Sequence, residues 1–332
     1  MNKKTICIGN ALVDKICMLE NDDMLSSENL PKGSMQIISQ DDSIRLQEAT
    51  SNLKSEISTG GSAANTANGL ANLGIETAYV GMVGKDNFGD FYIEDMQKNN
   101  IKTKFFKSGN TQTGLALALV SQDGERTFAT HLGAAIELNA SLITKELFDG
   151  YEYLHIEGYL ISNRDLFKKI IECGKQSGCK ISIDLASYNV VEENLEFLQE
   201  VCKGVEVIFA NEQEAEAFTK TSAEEAVHII AEYANIAVVK LGAKGSIIKH
   251  NGQITTIEEV KRNKIDTTGA GDFYAAGFMH GLCEGLSLRK CGTLGAITAG
   301  KVSEVLGPTL GEEAWNEIEI LVNRVKTEKY LF

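Results

Sequence analysis

The sequence contains few prolines, one tryptophan and too little positive charge to balance its acidic residues. Its 332 residues include two prolines, and 32 lysines and arginines stand against 46 aspartates and glutamates, which leaves a net charge of −14. So acidic a chain repels nucleic-acid backbones and anionic membrane surfaces, and we expect neither as a partner. An anionic small molecule can still bind where a helix N-terminus or a few cations create a local positive potential.

Cysteine pairs and long apolar runs are also missing. The seven cysteines are odd in number and include no CxxC pair, which argues against a disulfide framework and against a zinc knuckle. Reduced thiols are typical of the cytoplasm, where we expect this protein to reside. No stretch approaches the ~18 apolar residues that a membrane span requires.

Apolar runs of strand length recur along the chain, and helical patterns separate them. This alternation indicates βαβ units and predicts an α/β fold, with a mostly parallel sheet covered by helices on both faces. The first run ends at two charged residues without a cleavage site, so it is interpreted as a buried strand and not as a signal peptide. The predicted strands are Thr5–Val13, Thr77–Val83, Tyr153–Ile156, Lys180–Ile183, Val205–Phe209 and Ile236–Leu241.

Two stretches interrupt the alternation. Residues 15–58 contain the short strand-like piece Ser34–Ile38, and residues 100–120 contain Lys104–Lys107 and Thr113–Val120 without a helix between them. We expect these pieces to form a small antiparallel sheet. Such a sheet is either a lid over a binding site or an inert extension of the main sheet.

The C-terminal part of the chain has a helical pattern, with predicted helices at Gly271–Cys283, Leu288–Glu304 and Glu312–Val325. These helices are expected to flank the same core, so residues 1–332 form one domain. The segment Gly295–Val302 nearly matches a phosphate-binding P-loop, but it lacks Ser or Thr after its lysine and lies within a helical pattern. We interpret it as helix packing.

The segment from Asp266 to Asp272 reads Asp-Thr-Thr-Gly-Ala-Gly-Asp and leads into the first of these helices. Gly269 and Gly271 allow the backbone to turn sharply, so the helix N-terminus can present free N–H groups to a phosphate. From the first turn, Asp272 can accept the proton of a substrate hydroxyl that attacks a γ-phosphoryl group. An ordinary glycine-rich turn with an aspartate near the helix start has the same local sequence.

Two further segments are ambiguous when each is taken alone. Gly60–Ser62 allows close approach of a ligand, and Asn65 offers a donor and an acceptor to hydroxyls, yet simple N-capping gives the same pattern. Asn211 and Glu214 follow a predicted strand, at the edge where parallel sheets bind ligands, so a carboxylate there can reach hydrated Mg²⁺. The preference of acids for a helix N-terminus explains this second pattern equally well.

Together these segments occur in an order and spacing that resembles the ribokinase-like PfkB family of carbohydrate and nucleoside kinases. Gly60–Ala67 with Gly74 and Gly84 resembles the first family signature, residues 266–279 resemble the second, and Asn211–Glu214 resembles the metal-linked motif. The resemblance implies a three-layer αβα fold with a mostly parallel central sheet and a small β lid formed from about 15–58 and 100–120. It also implies an ATP-dependent phosphotransferase that acts on a primary hydroxyl.

The same resemblance implies catalytic roles for residues of this sequence. Asp272 corresponds to the general base, and Arg126 to the arginine that approaches the transferred phosphoryl group. The implied anion hole consists of Gly269, Ala270, Gly271 and Asp272.

Metal and nucleotide contacts are implied in the same way. Glu214 and Asn211 correspond to residues that organise Mg²⁺ through water, and Asp266 corresponds to part of a monovalent-cation site, with K⁺ as the cation. The implied ATP contacts are Asn211, Leu241, Gly242, Gly245, Thr268, Ala299 and Ser303.

Within the family, the segment Gly9–Asp14 and the stretch Arg126–Ala135 resemble the adenosine kinase branch. The implied substrate is a purine nucleoside, adenosine foremost, phosphorylated on its 5′ hydroxyl. A kinase of ribose, fructose or a related sugar is the alternative, because sugar kinases share these motifs, and Phe273-Tyr274 departs from the more usual Ala-Phe of the family. The implied substrate contacts are Asn10, Asp14, Gly61, Ser62 and Asn65.

A protein of another class is also compatible with the fold. A catalytically silent sensor of nucleotides or nucleosides would keep the same architecture, but it would not need the base Asp272. We expect a monomer or a homodimer.

Overall fold

The computed structural model describes residues 4–260 and 262–327. Across these residues, fourteen strands form two sheets. The strands are β1 (Lys4–Ile8), β2 (Leu12–Met18), β3 (Met35–Ile37), β4 (Ser55–Gly60), β5 (Glu76–Gly84), β6 (Lys102–Ser108), β7 (Gly114–Val120), β8 (Arg126–His131), β9 (Tyr153–Glu157), β10 (Lys180–Asp184), β11 (Val205–Asn211), β12 (Ala234–Lys240), β13 (Ser246–His250) and β14 (Gln253–Ile257).

The α-helices lie between these strands and at the C-terminal end. They are α1 (Asp23–Ser27), α2 (Gln40–Ala49), α3 (Ser62–Asn72), α4 (Asn87–Lys98), α5 (Arg164–Gln176), α6 (Tyr188–Glu193), α7 (Leu195–Val201), α8 (Glu212–Thr219), α9 (Ala223–Ile230), α10 (Ala270–Cys283), α11 (Leu288–Val302) and α12 (Glu312–Thr327). Within the described ranges, no helix combines the length and the apolar character that crossing a membrane requires.

The large sheet has the strand order β14-β13-β12-β11-β10-β9-β1-β5-β6. The strands from β12 to β6 are parallel, and the hairpin β13–β14 adds an antiparallel edge. Helices cover both faces, as β11 illustrates. Ile208 packs in a core with α5, α8 and α9, whereas Val207 and Phe209 pack in a second core with α3 and α10. This arrangement confirms the predicted three-layer α/β fold.

The small sheet has the order β3-β8-β7-β2-β4 and is mixed. β2 is antiparallel to β4 but parallel to β7, so the expectation of an antiparallel sheet is wrong. The placement of Lys104–Lys107 in this sheet is also wrong, because β6 pairs in parallel with β5 at the edge of the large sheet. One face of the small sheet packs against α1 and α2 through a core that includes Cys17, Leu25 and Leu46.

The predicted strand Thr5–Val13 is two strands. The chain leaves the large sheet after Ile8 and enters the small sheet at Leu12, and between them the Gly9 N–H still donates to the Val80 carbonyl oxygen at 3.3 Å. A Cβ on Gly9 would collide with the Glu157 carboxylate. The residues between the two strands therefore cross from one sheet to the other, over the edge where the candidate site lies.

The C-terminal helices agree in type and position with the prediction. The P-loop-like segment Gly295–Val302 lies inside α11, and a Cβ on Gly295 would come within 2.9 Å of the Tyr274 backbone oxygen on α10. That close approach confirms helix packing at Gly295.

Candidate active site

A cavity of about 590 Å³ lies at the carboxyl ends of the parallel strands β9 to β12. This is the edge at which open α/β sheets bind ligands, since strand ends and helix starts meet there. The cavity brings together most of the residues that the sequence proposed. Those that line it are Ser62, Asn65, Asn211, Glu214, Gly242, Gly245, Thr268, Gly269, Ala270, Gly271, Asp272, Ala299 and Ser303.

Helix α10 begins in this cavity with a left-handed residue. Gly269 caps the helix with φ 75°, and a Cβ at this position would lie 2.7 Å from the Cβ of Pro308. Glycine is therefore required for the turn. The first N–H groups of a helix have no acceptor within it, so those of Gly271 and Asp272 are suited to an anion.

One hydroxyl donor and one amide donor fix the Asp272 carboxylate in the first turn of α10. Ser62 donates its Oγ hydrogen to Oδ1 at 2.7 Å, and Asn65 donates from Nδ2 to Oδ2 at 2.8 Å. Burial, assisted by the charge of Asp184, raises the pKa of Asp272 to about 6 against the opposing effect of these hydrogen bonds. The group is thus largely ionised at neutral pH and more basic than an ordinary aspartate, as a general base requires.

Asn211 and Glu214 form a reciprocal cap at the start of α8. The Asn211 side chain accepts from the Glu214 N–H at 2.9 Å, and Glu214 accepts from the Asn211 N–H at 2.8 Å and from its Nδ2 at 2.6 Å. Burial, and then the charge of Asp184, raises the pKa of Glu214 to about 7. Helix capping therefore explains the local sequence, and it also holds a carboxylate at the wall of the cavity.

The carboxylates around this cavity fit a magnesium ion that arrives with phosphates. Asp184, Glu214 and Asp272 repel one another, as their effects on the pKa values of Glu214 and Asp272 show. In the part of the chain that the structure describes, no group of three or more acidic, histidine or cysteine side chains is placed to hold a metal by itself. Mg²⁺ keeps several waters and binds through one or two carboxylates plus phosphates, which matches this arrangement. Bound there, it would neutralise phosphate charge.

Asp266 and Arg126 form a largely buried ion pair beside the cavity. The Arg126 guanidinium lies 2.8 Å from Asp266 Oδ2 and donates to the Thr268 hydroxyl at 3.1 Å. Asp266 also accepts from Gly307 N and from both the N–H and the hydroxyl of Thr268. Although burial opposes it, these hydrogen bonds and the Arg126 charge hold the pKa of Asp266 below its usual value.

The same contacts decide how well Asp266 suits potassium. Four donors occupy its two carboxylate oxygens, which leaves these oxygens poorly suited to bind a cation directly. K⁺ binding at Asp266 stays a prediction without support from the side-chain geometry.

Asp14 lies on the face of the small sheet that looks toward this network. A Cβ on Gly60 would collide with the Asp14 carboxylate, so that glycine makes room for it. Burial, together with the charge of Asp272, raises the pKa of Asp14 to about 7, and Arg126 opposes the shift. Asp14 therefore lies close enough to Asp272 and Arg126 to feel both charges, although it does not line the cavity itself.

Asn10 is held by a residue that the sequence did not single out. The buried Glu157 accepts from Asn10 Nδ2 at 2.8 Å and from Ala63 N at 3.1 Å, and a Cβ on Gly61 would collide with the Asn10 backbone oxygen. Burial raises the pKa of Glu157 to about 7. Glu157 is the last residue of β9, and an acidic residue at the end of a predicted strand was the signal in the sequence that could have identified it.

Lys240, Asp184 and Tyr159 also line the cavity and were missed. Lys240 ends β12, Asp184 ends β10, and Tyr159 follows β9. Of the remaining predicted residues, Leu241 is buried behind the loop that carries Gly242, and it does not line the cavity.

Known proteins with similar sequence and structure span nearly the whole chain. A family model described as pfkB family carbohydrate kinase matches residues 33–315. The adenosine kinase from Sinorhizobium meliloti is 30% identical with a TM-score of 0.83, over 97% of this chain and 100% of that one. A probable sugar kinase from Rhizobium etli is 29% identical with a TM-score of 0.86, over 96% and 98%. The adenosine kinase of Saccharomyces cerevisiae is 26% identical over 94% of this chain and 98% of its own length.

Proposed function

Because the chain belongs to the pfkB family of carbohydrate kinases and is an ATP-dependent phosphotransferase of sugars or nucleosides, we propose that its acceptor is the 5′ hydroxyl of a purine nucleoside, adenosine foremost. The face of the small sheet that bears Asp14 carries this proposal. This face bears a carboxylate suited to sugar hydroxyls, and farther across the sheet it bears exposed apolar side chains.

The strand register defines that face. Ser58, Asp14, Ala116, Thr130 and Ile37 occupy one row across β4, β2, β7, β8 and β3. Side chains that are paired in register lie on the same face of a sheet. The small side chains of Ala116 and Thr130 leave space beside Asp14, and at the end of the row Ile37 is 69% exposed.

The next row of the same face ends on Met35, which pairs with Phe128 and is 58% exposed. Adjacent strands lie about 4.8 Å apart, so Ile37 lies roughly 14 Å from Asp14 across the sheet. A free sugar held by Asp14 ends short of Ile37, whereas the base of a nucleoside extends toward it. Two large apolar side chains exposed at this place favour an acceptor with an aromatic base.

The chemistry follows from the groups at α10. Asp272 accepts the proton of the acceptor hydroxyl, whose oxygen attacks the terminal phosphorus of ATP as the bond to ADP breaks. The N–H groups at the start of α10 stabilise the charge on the transferred phosphoryl oxygens. Arg126 positions the Thr268 side chain by a hydrogen bond, and its positive charge favours the ionised form of Asp14. We propose that Mg²⁺ contacts Glu214 and Asn211 through water.

The small sheet with α1 and α2 serves as the lid in this proposal, and residues 1–332 act as one kinase domain. Closing the lid brings Asp14 onto the acceptor and excludes water from the phosphoryl group. The seven buried thiols support a cytoplasmic location, and a monomer or a homodimer is compatible with the arrangement.

A sugar kinase is the second candidate. Ser62, Asn65, Asp14 and Asp272 together offer enough polar atoms to hold a sugar without a base. The similarity to the probable sugar kinase from Rhizobium etli also favours this candidate.

Release of ADP with a panel of nucleosides and free sugars separates the candidates. We expect kcat/KM for adenosine to exceed that for ribose or fructose by at least about 100-fold. Turnover of a sugar with none of a nucleoside would replace the proposal with its alternative, and no ATP consumption with any acceptor would favour a sensor.

A matched pair of variants tests the apolar surface. Ile37→Ser should raise KM for adenosine by about tenfold, because it removes apolar contact with the base. Ile254→Ser changes an isoleucine that is 50% exposed on β14, away from Asp14, and should leave KM unchanged. Equal kinetics of the two variants would contradict the position of the base.

A further inference from the structure

A nearly buried lysine lies against the start of α10. Lys240 is the last residue of β12, its side chain is 14% exposed, and its Nζ donates to Asp184 Oδ2 at 2.9 Å. A Cβ built on Gly271 would come within 3.0 Å of this Nζ. The ammonium therefore lies beside the backbone that forms the proposed anion hole, and it lines the same cavity.

The sheet order explains how the lysine reaches this place. β10, β11 and β12 are neighbours, and Asp184, Asn211 and Lys240 lie at their carboxyl ends. Asn211 and Lys240 are paired in register. The long lysine stem extends from the strand end toward α10, where the absence of a side chain on Gly271 leaves room for the ammonium.

The charges around Lys240 keep it protonated. Burial alone would lower its pKa, but the nearby carboxylates of Asp184, Glu214 and Asp272 raise it above the usual value. An ammonium carries three donors, and the pair with Asp184 uses one of them. A cation with spare donors, placed among carboxylates at the wall of the cavity, is suited to an incoming anion.

We propose that Lys240 is a catalytic residue that donates from Nζ to the transferred phosphoryl group of ATP, with Asp184 as its positioning partner. This inference rests on the proposed function, because ATP is taken as the donor. As the acceptor oxygen bonds to phosphorus and the bond to ADP breaks, the acceptor proton goes to Asp272 and Lys240 keeps all three of its own. Its charge stabilises the phosphoryl oxygens beside Gly271.

A purely structural ion pair makes different predictions. If Lys240 only neutralises Asp184, then removing both charges together restores the protein, since a buried pair can be replaced by neutral groups without loss. If Lys240 contacts the phosphoryl group, then removing both charges restores folding but not turnover.

The variants are Lys240→Met, the double variant Asp184→Asn with Lys240→Met, and the control Lys180→Met. Lys180 lies at the opposite end of β10 and pairs with Glu152, so it matches the residue type and the kind of partner. We measure kcat at saturating ATP and acceptor, Tm, and the calorimetric affinity for ADP and for the β,γ-imido analogue of ATP.

We expect Lys240→Met and the double variant to lose about 100-fold in kcat, as is typical when one donor to a developing oxyanion is removed. Affinity for the imido analogue should fall about tenfold in both, whereas affinity for ADP, which lacks the γ-phosphate, should change by less than about twofold. The double variant should recover the Tm that Lys240→Met loses. Lys180→Met should keep the wild-type kcat and both affinities.

Three results would overturn the inference: a kcat of Lys240→Met close to that of the wild type, recovery of kcat in the double variant, or equal losses of affinity for ADP and the analogue. If Lys240→Met does not fold, the double variant alone decides between the two interpretations. Because the two affinities need no acceptor, they still test Lys240 if the nucleoside proposal fails. The nucleoside proposal fails separately, if the wild-type enzyme phosphorylates no nucleoside.

Discussion

The ionisation of Asp14 gives a prediction in which stability and function change in opposite directions. Burial, and then the negative charge of Asp272, raises the pKa of this carboxyl from 3.8 to about 7, although Arg126 opposes the shift. The folded protein therefore disfavours the charged form that is expected to hold substrate hydroxyls. Asp14→Asn removes the charge and keeps the size of the side chain.

The magnitude follows from linkage. A shift of about 3 units corresponds to about 4 kcal/mol, which is an upper bound because solvent reaches part of the side chain. The folded pKa lies above the unfolded one, so the cost of ionisation is full above about pH 7 and disappears as the pH falls toward 3.8. Asp14→Asn should thus increase the free energy of unfolding at about pH 8, and the gain should shrink steadily toward about pH 4.

Urea unfolding of the wild type and Asp14→Asn at several pH values between about 4 and 8 measures this difference directly. Glu319→Gln, a change of an exposed carboxylate on α12, is the control and should show no comparable gain. Steady-state kinetics should show a higher KM for the acceptor in Asp14→Asn. A gain that is the same at all pH values, or a loss of stability at about pH 8, would refute the reasoning.

Three more predictions concern the base, the glycine turn and the metal. Because the pKa of Asp272 is raised to about 6, its basic form is lost as the pH falls, so kcat at saturating acceptor should drop below about pH 6. A kcat that stays flat down to about pH 4.5 would contradict this. Gly61→Ala should destabilise the fold by about 1–3 kcal/mol more than Gly74→Ala, since both have positive φ but only the first collides with Asn10; equal unfolding energies would exclude the collision. Glu214→Gln should raise the Mg²⁺ concentration needed for half-maximal rate by about tenfold; an unchanged titration would remove Glu214 from the metal site.

The sequence predicted the large parallel sheet and the C-terminal helices, because buried strands and helices longer than about ten residues have strong local patterns. It failed where pairing depends on distant residues. Thr5–Val13 is one apolar run, and only the pairing of β1 with β5 and β9, and of β2 with β4 and β7, shows where the chain changes sheets. Lys104–Lys107 has no local feature that distinguishes an edge strand of the large sheet from a strand of the small one.

The candidate site shows the same division. Asp272 and its glycines belong to a contiguous segment whose composition indicates a phosphate-binding turn. Lys240, Asp184 and Glu157 are single residues at the ends of three strands, and only the order β12-β11-β10-β9 brings them to one edge. Asn211 and Glu214 cap a helix terminus and line the cavity of the candidate site at the same time.

Turnover and nucleotide affinity of Asp272→Asn test the central claim most directly. Removal of a general base should lower kcat by about 10²–10⁴-fold, while the calorimetric affinity for ATP stays close to that of the wild type because the N–H groups of α10 are unchanged. A variant with normal kcat, or one that loses ATP binding and turnover together, would contradict the assignment of Asp272 as the base.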